Sequence, residues 1–115
     1  MKVWLFLIYC NYYSGDVDKA ITTAVIISND SISSYIWSAG QYVEWRIVEK
    51  SKINLDKDCN LISGTYIVKN EFGNGVFVIG YKTIYLYCHF VNDESFRITY
   101  TRKDLNSAVD SKNCY

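Results

Sequence analysis

From residue 42 onward, apolar and polar side chains change places at almost every step, and this period of two is the strongest constraint the chain carries. In YVEWRIVEK (42–50), Val43, Trp45 and Ile47 alternate with Glu44 and Arg46, the pattern of a strand with one buried face. LISGTYIVK (61–69) puts Tyr66 and Val68 on one face, and Gly64 inside it predicts a bulge or bend. VFVIG and TIYLYCHFV meet near Gly80, which either kinks one long strand or separates two. In FRITYTR (96–102), Phe96, Ile98 and Tyr100 alternate with Arg97, Thr99 and Thr101. Turn formers punctuate the runs: LDKDCN (55–60), NDES (92–95), and NEFGNG (70–75), whose Asn and two glycines are expected to supply positive φ angles. Every connection is short, so sequential strands should pair antiparallel in a meander of at least five strands.

The first third is more open. VDKAITTAVIISND (17–30) suits an amphipathic helix or a strand, and its β-branched residues favour the strand. SISSYIWSAG (31–40) reads as another strand. After Arg102, KDLNSAVDSKNCY is polar, with Asp104 placed to cap a turn or two of helix. Residues 1–15, MKVWLFLIYCNYYSG, read as a candidate signal peptide with a short apolar stretch, or alternatively as the first strand. Residues 16–115 then form a single domain, since no repeat, linker or low-complexity segment divides them. A long meander must deal with its edges, and the expected solution is all-β: an up-and-down meander closing into a small barrel, with a two-sheet sandwich as the alternative.

Half of the 115 residues are hydrophobic and 17% aromatic, which excludes intrinsic disorder. Twelve basic residues balance twelve acidic ones, so no global field directs the chain toward nucleic acid. No apolar run approaches the ~18 residues needed to span a bilayer as a helix, and membrane insertion is not expected. Four cysteines, Cys10, Cys59, Cys88 and Cys114, follow no zinc spacing. An even count in a small aromatic chain suggests two disulfides and an extracellular location, with three pairings open. Asn29, in the NDS tripeptide, is a glycosylation acceptor if the chain is secreted.

Catalysis is poorly provisioned. The single histidine, His89, follows Cys88 and faces away from it on a regular strand, so the two cannot form a relay. The carboxylate pairs Asp56/Asp58 and Asp93/Glu94 sit in turns, without the burial that raises a general acid's pKa. DKDCNLISGTYI imitates a calcium loop only in part: Leu61 occupies the glycine position and Ile67 the bidentate glutamate position. No catalytic residue, metal or cofactor is expected. What remains is an inward face rich in large groups: Val43, Trp45, Ile47, Tyr66, Val68, Phe96, Ile98 and Tyr100. It forms either a packed core or the wall of a ligand site.

The stretch GTYIVKNEFGNGVFVIGYKTIYLYCHFVNDESFRITYTRKDLN (64–106) resembles the last strands of the lipocalins, especially the arthropod and apolipoprotein-D-like branch. Ile79-Gly80-Tyr81 stands at the family's turn, Tyr87-Cys88 ends the next strand, and Arg102 with Leu105 closes the last. The resemblance implies a secreted, cup-shaped barrel that binds and transports a small lipophilic molecule, without enzymatic activity. It also implies that Arg102 is a structural latch packed over a tryptophan at the closed end. Family habit further implies the pairing Cys10–Cys88 and Cys59–Cys114. The alternative function is a disulfide-stapled module with a filled core that binds another protein.

Overall fold

The computed structural model describes residues 6–13, 20–36, 40–58, 60–102 and 107–108. Its strands are β1 (Phe6–Tyr13), β2 (Ala20–Ile27), β3 (Ser31–Ile36), β4 (Gln41–Leu55), β5 (Leu61–Asn70), β6 (Gly73–Ile79), β7 (Thr83–Phe90), β8 (Ser95–Arg102) and the short β9 (Ser107–Ala108). Strands β2 to β8 pair in sequence order, and β1 pairs antiparallel with both β8 and β2. Eight strands therefore close an up-and-down barrel, and the sandwich alternative does not occur. The short β9 pairs with Phe6 and Leu7 of β1, on the edge that β8 occupies from Cys10 to Tyr12. Residues 6–13, the part of the N-terminal segment described, are thus the strand that closes the barrel. Asp104 lies outside the described residues.

Closure follows from the alternation. Phe6, Ile8 and Cys10 of β1, Ile32, Ser34 and Ile36 of β3, Phe77 and Ile79 of β6, and Ile84, Leu86 and Cys88 of β7 all point inward and are buried. Described neighbours such as Tyr9, Val78 and Tyr87 face outward and are exposed, so a slip of one residue would turn the apolar set toward solvent. Trp45, Tyr100 and Phe77 are the largest of the described side chains that are fully buried. The Tyr100 hydroxyl donates to the Tyr35 carbonyl at 2.7 Å, which ties β8 to β3. Strands β2 and β3 pair only from Val25 to Ile27. Where that ladder stops, the Tyr42 hydroxyl is 2.8 Å from the Thr23 hydroxyl and accepts the Ala24 N–H at 3.3 Å. No helix among the described residues is long and apolar enough to cross a membrane.

Several local expectations are corrected. Gly80 does separate two strands: its N–H donates to the Thr83 carbonyl across the β6–β7 turn. The irregularity expected at Gly64 lies on the partner strand, where β4 shifts register between Ser51 and Asn54 and Lys52 takes a φ of 56°. Gly73 and Gly75 do not supply positive φ; they belong to β6, and the turn is only Glu71–Phe72. That turn is held by Asn70 Oδ1, which accepts the N–H groups of Phe72 (2.8 Å) and Gly73 (3.0 Å). Gly73 is needed for proximity instead, because a Cβ there would run into the His89 carbonyl oxygen on β7.

The Cys10–Cys88 disulfide is also corrected: both are free, buried thiols. The strand order explains why. β8 lies between their strands, and Cys10 is in register with Arg102 while Cys88 is in register with Phe96. Six residues of β8 separate those positions, roughly 20 Å at ~3.3 Å per residue, whereas a disulfide needs Cα atoms within about 7 Å. Burial pushes the Cys10 thiol up to about 11, opposed by the nearby Arg102 charge, and raises Cys88 as well. Cys59 and Cys114 lie outside the described residues.

Candidate functional site at the barrel mouth

The two ends of the barrel differ in chemistry. At one end Arg102, itself buried, acts as a plug. Its Nη1 donates to the carbonyls of Gly80 (2.8 Å) and Ile62 (3.1 Å), and its Nη2 to that of Leu61 (2.9 Å). One planar fork thus ties the β6–β7 turn to the start of β5, a geometry that a guanidinium can supply and a single ammonium cannot. Desolvation lowers the Arg102 pKa, and the three charge-assisted bonds offset that cost. The resemblance implied an Arg102 packed over a tryptophan; the contacts described for its guanidinium are instead these three backbone carbonyls. Nearby, Asp56 Oδ1 accepts the N–H groups of Asp58 (2.8 Å) and Asn60 (2.9 Å), and the Asn60 side-chain amide donates to Oδ2 (3.0 Å). These bonds, led by those from Asn60, hold the Asp56 pKa below its usual range. The partial calcium motif is occupied in building a turn.

At the other end the last residue of β3 and the first residues of β4 come together with the tips of the β5–β6 and β7–β8 hairpins. Between them lies a cleft of about 340 Å³ lined by Ile36, Gln41, Val43, Phe72, Phe90, Val91, Asn92, Glu94 and Phe96. The Val91 N–H donates to the Phe72 carbonyl (2.8 Å), which fastens the β7–β8 tip to the β5–β6 tip. Asp93 has a φ of 67° and donates its N–H to the Phe90 carbonyl, so the tip turns sharply and leaves Phe90 beside Phe96. Phe72 and Val91 remain well exposed. A connected set of rings runs inward from this rim. Phe96 meets Phe90 edge-on at 5.8 Å, Phe90 lies 6.3 Å from Trp45, and Trp45 meets Phe77 at 6.4 Å.

Of the eight residues assigned from the sequence to a ligand wall, Val43 and Phe96 line the cleft. Trp45, Tyr66, Val68, Ile98 and Tyr100 are buried core, and Ile47 packs against that core half-exposed. Burial without an opposing charge pushes the Tyr66 pKa up to about 12, as expected of a phenol held in that core. Ile36, Phe72, Phe90 and Val91 were missed; three of them lie in or beside segments read only as turns. Asn29 is exposed in the β2–β3 turn.

A second, shallower depression of about 530 Å³ lies on the outer face of β5–β8, among Ile67, Val76, Tyr87, His89, Ser95 and Arg97. There His89 Nδ1 is 2.7 Å from the Ser95 hydroxyl and Nε2 is 3.7 Å from the Asp93 carboxylate. His89 and Cys88 do face opposite sides of the strand. Asp93 is almost wholly exposed, so this group of three lacks the dry surroundings in which charge is stabilised during catalysis. The trough is larger, but it lies between side chains on a convex face. The mouth cleft is concave and backed by a packed interior, the setting typical of small-molecule sites.

No family model, curated protein or solved structure matches this chain.

Proposed function

We propose that this protein is a non-enzymatic carrier that takes up a small, largely apolar molecule at the mouth of its barrel. The observation that carries this reading is the cleft itself: an apolar hollow between two hairpin tips and the facing ends of β3 and β4, rimmed by exposed Phe72 and Val91. Its volume falls within the usual ~300–1,000 Å³ range of ligand pockets. The lipocalin resemblance supports the same reading, since it implies an up-and-down barrel sealed at one end by an arginine. Secretion belongs to the reading through that resemblance alone. The distribution of polarity favours an aqueous setting. The interior is apolar while Glu44, Arg46, Lys69 and Arg97 face outward, the reverse of a transmembrane barrel.

The ligand differs in placement from the one a hollow barrel would hold. Trp45, Phe77 and Tyr100 occupy the centre, so the molecule sits at the rim instead of deep in the lumen. The filled interior, with exposed Ile67, Val78 and Tyr87 on the outer face, is what favours the second reading, a protein-binding module. Titration with the neutral fluorophore N-phenyl-1-naphthylamine separates the two. Saturable enhancement is expected, weakened about tenfold in the double variant F72S/V91S through the loss of ~1.4 kcal/mol of apolar contact. Both side chains are exposed, so the fold should be unaffected. A flat titration would transfer the assignment to the protein-binding module.

A further inference from the structure

Two buried polar atoms lie one layer beneath the cleft. Trp45 Nε1 and Ser34 Oγ are both buried in residues with no exposed surface, and neither has a hydrogen-bond partner among the described residues. Their position follows from register. Ser34 pairs directly with Val43, which lines the cleft, and stands two residues before Ile36, which also lines it. Trp45 stands two residues beyond Val43 on the same inward face of β4, and its ring lies 6.3 Å from Phe90 of the cleft wall. Ser34 and Trp45 are therefore diagonal neighbours on adjacent strands, within reach of one small group between them. A buried donor left unpaired costs more free energy than one that is paired, so such a site favours whatever can pair it.

Charge narrows the class of ligand further. Among the described residues, Glu94 is the one ionisable side chain lining the cleft, and no lysine or arginine lines it. An anionic head group would meet a like charge at the rim and find no cation among the described lining residues.

Building on the mouth-binding reading, we infer that the ligand is a neutral amphiphile that enters oxygen-first. Its carbonyl or hydroxyl oxygen accepts hydrogen bonds from Trp45 Nε1 and Ser34 Oγ, and its apolar body fills the cleft. One oxygen has two lone pairs and can accept from both. Phe90, half-buried between Phe96 and Trp45, is the side chain that must swing aside to admit it. The site therefore discriminates by head group: hydrogen-bond acceptors without charge are preferred to carboxylates of the same chain length.

The test is displacement of N-phenyl-1-naphthylamine by 2-nonanone, nonane and nonanoate, in wild type, S34A and the double variant S34A/W45F. The ketone's affinity is expected to fall about threefold in S34A and about tenfold in the double variant. Nonane, which has no acceptor, should change less than twofold, and nonanoate should bind wild type more weakly than the ketone. S34A removes one hydroxyl with little change of shape, so it remains informative if Trp45→Phe loosens the core. A ketone affinity unchanged in both variants, with nonane still displacing the fluorophore, would overturn this inference and leave the carrier reading intact. Nonanoate binding as tightly as the ketone would overturn the exclusion of charge. Failure of the fluorophore itself to bind would remove both.

Discussion

Replacing Arg102 with methionine should lower the stability of the barrel by about 3–5 kcal/mol. The side chain is buried, and its guanidinium donates to three backbone carbonyls on two separate segments. Methionine keeps most of the apolar stem but leaves the Leu61, Ile62 and Gly80 carbonyls without that donor. The backbone bond from the Arg102 N–H to the Lys82 carbonyl (2.8 Å) survives the change, so the strand end stays attached while the plug is lost. Equilibrium urea unfolding reads this as a drop in midpoint of about 2 M, taking an m-value of ~2 kcal/mol/M. Arg102→Lys should recover only a minor part, because a single ammonium cannot replace a fork that bridges two segments. A loss below about 1 kcal/mol in Arg102→Met would mean that the base is held by other contacts.

Gly73→Ala should be the second large effect, about 3 kcal/mol. A Cβ at this position would collide with the His89 carbonyl oxygen and come within 2.8 Å of the Phe90 Cα. Both obstacles are backbone, and β6 is paired with β7 along its whole length from Gly73 to Ile79. The strands must therefore part at the mouth, and Phe90 must move with them. Gly64→Ala supplies the contrast. Its nearest obstacle is the Ile53 Cδ1 at 2.7 Å, the tip of a flexible and partly exposed side chain. That substitution should cost little. Thermal melts of the two variants side by side would expose an error in the β6–β7 packing if both melted alike.

These two glycines also show where local reading succeeds and where it stops. Strands β4 to β8 were legible because each buries one face, and burial writes itself into the sequence with a period of two. The role of Gly73 was not legible, because turn chemistry suggests positive φ for any Asn/Gly cluster. The real constraint is the distance to a strand that begins ten residues later. Closure of the ring was open for a related reason. The apolar run around Phe6–Cys10 reads equally well as a leader or a strand, and its pairing with both β2 and β8, which closes the ring, is visible only in the fold. The cysteine pairing failed because it depends on strand order and register, which place Cys10 and Cys88 far apart along β8.

The site was legible only in part. Val43 and Phe96 belong to alternating runs and were found on that account. Phe72 and Val91 sit in hairpin tips, and Phe90 beside one, where polar residues mask them. Two tips and the facing ends of β3 and β4, distant in sequence, become one apolar rim only after the barrel closes. That Trp45 Nε1 and Ser34 Oγ lack a partner among the described residues has no sequence signature either, because hydrogen-bond satisfaction depends on the whole packed environment.

The measurement that bears most directly on the central claim is a methyl NMR titration of the isotope-labelled protein with N-phenyl-1-naphthylamine. A ligand seated at the mouth should shift the methyl signals of Ile36, Val43 and Val91 along one common saturation curve, while Ile67, Val76 and Val78 on the outer face stay still. Shifts confined to the outer-face methyls, with the mouth silent, would contradict the account and place binding on the convex sheet.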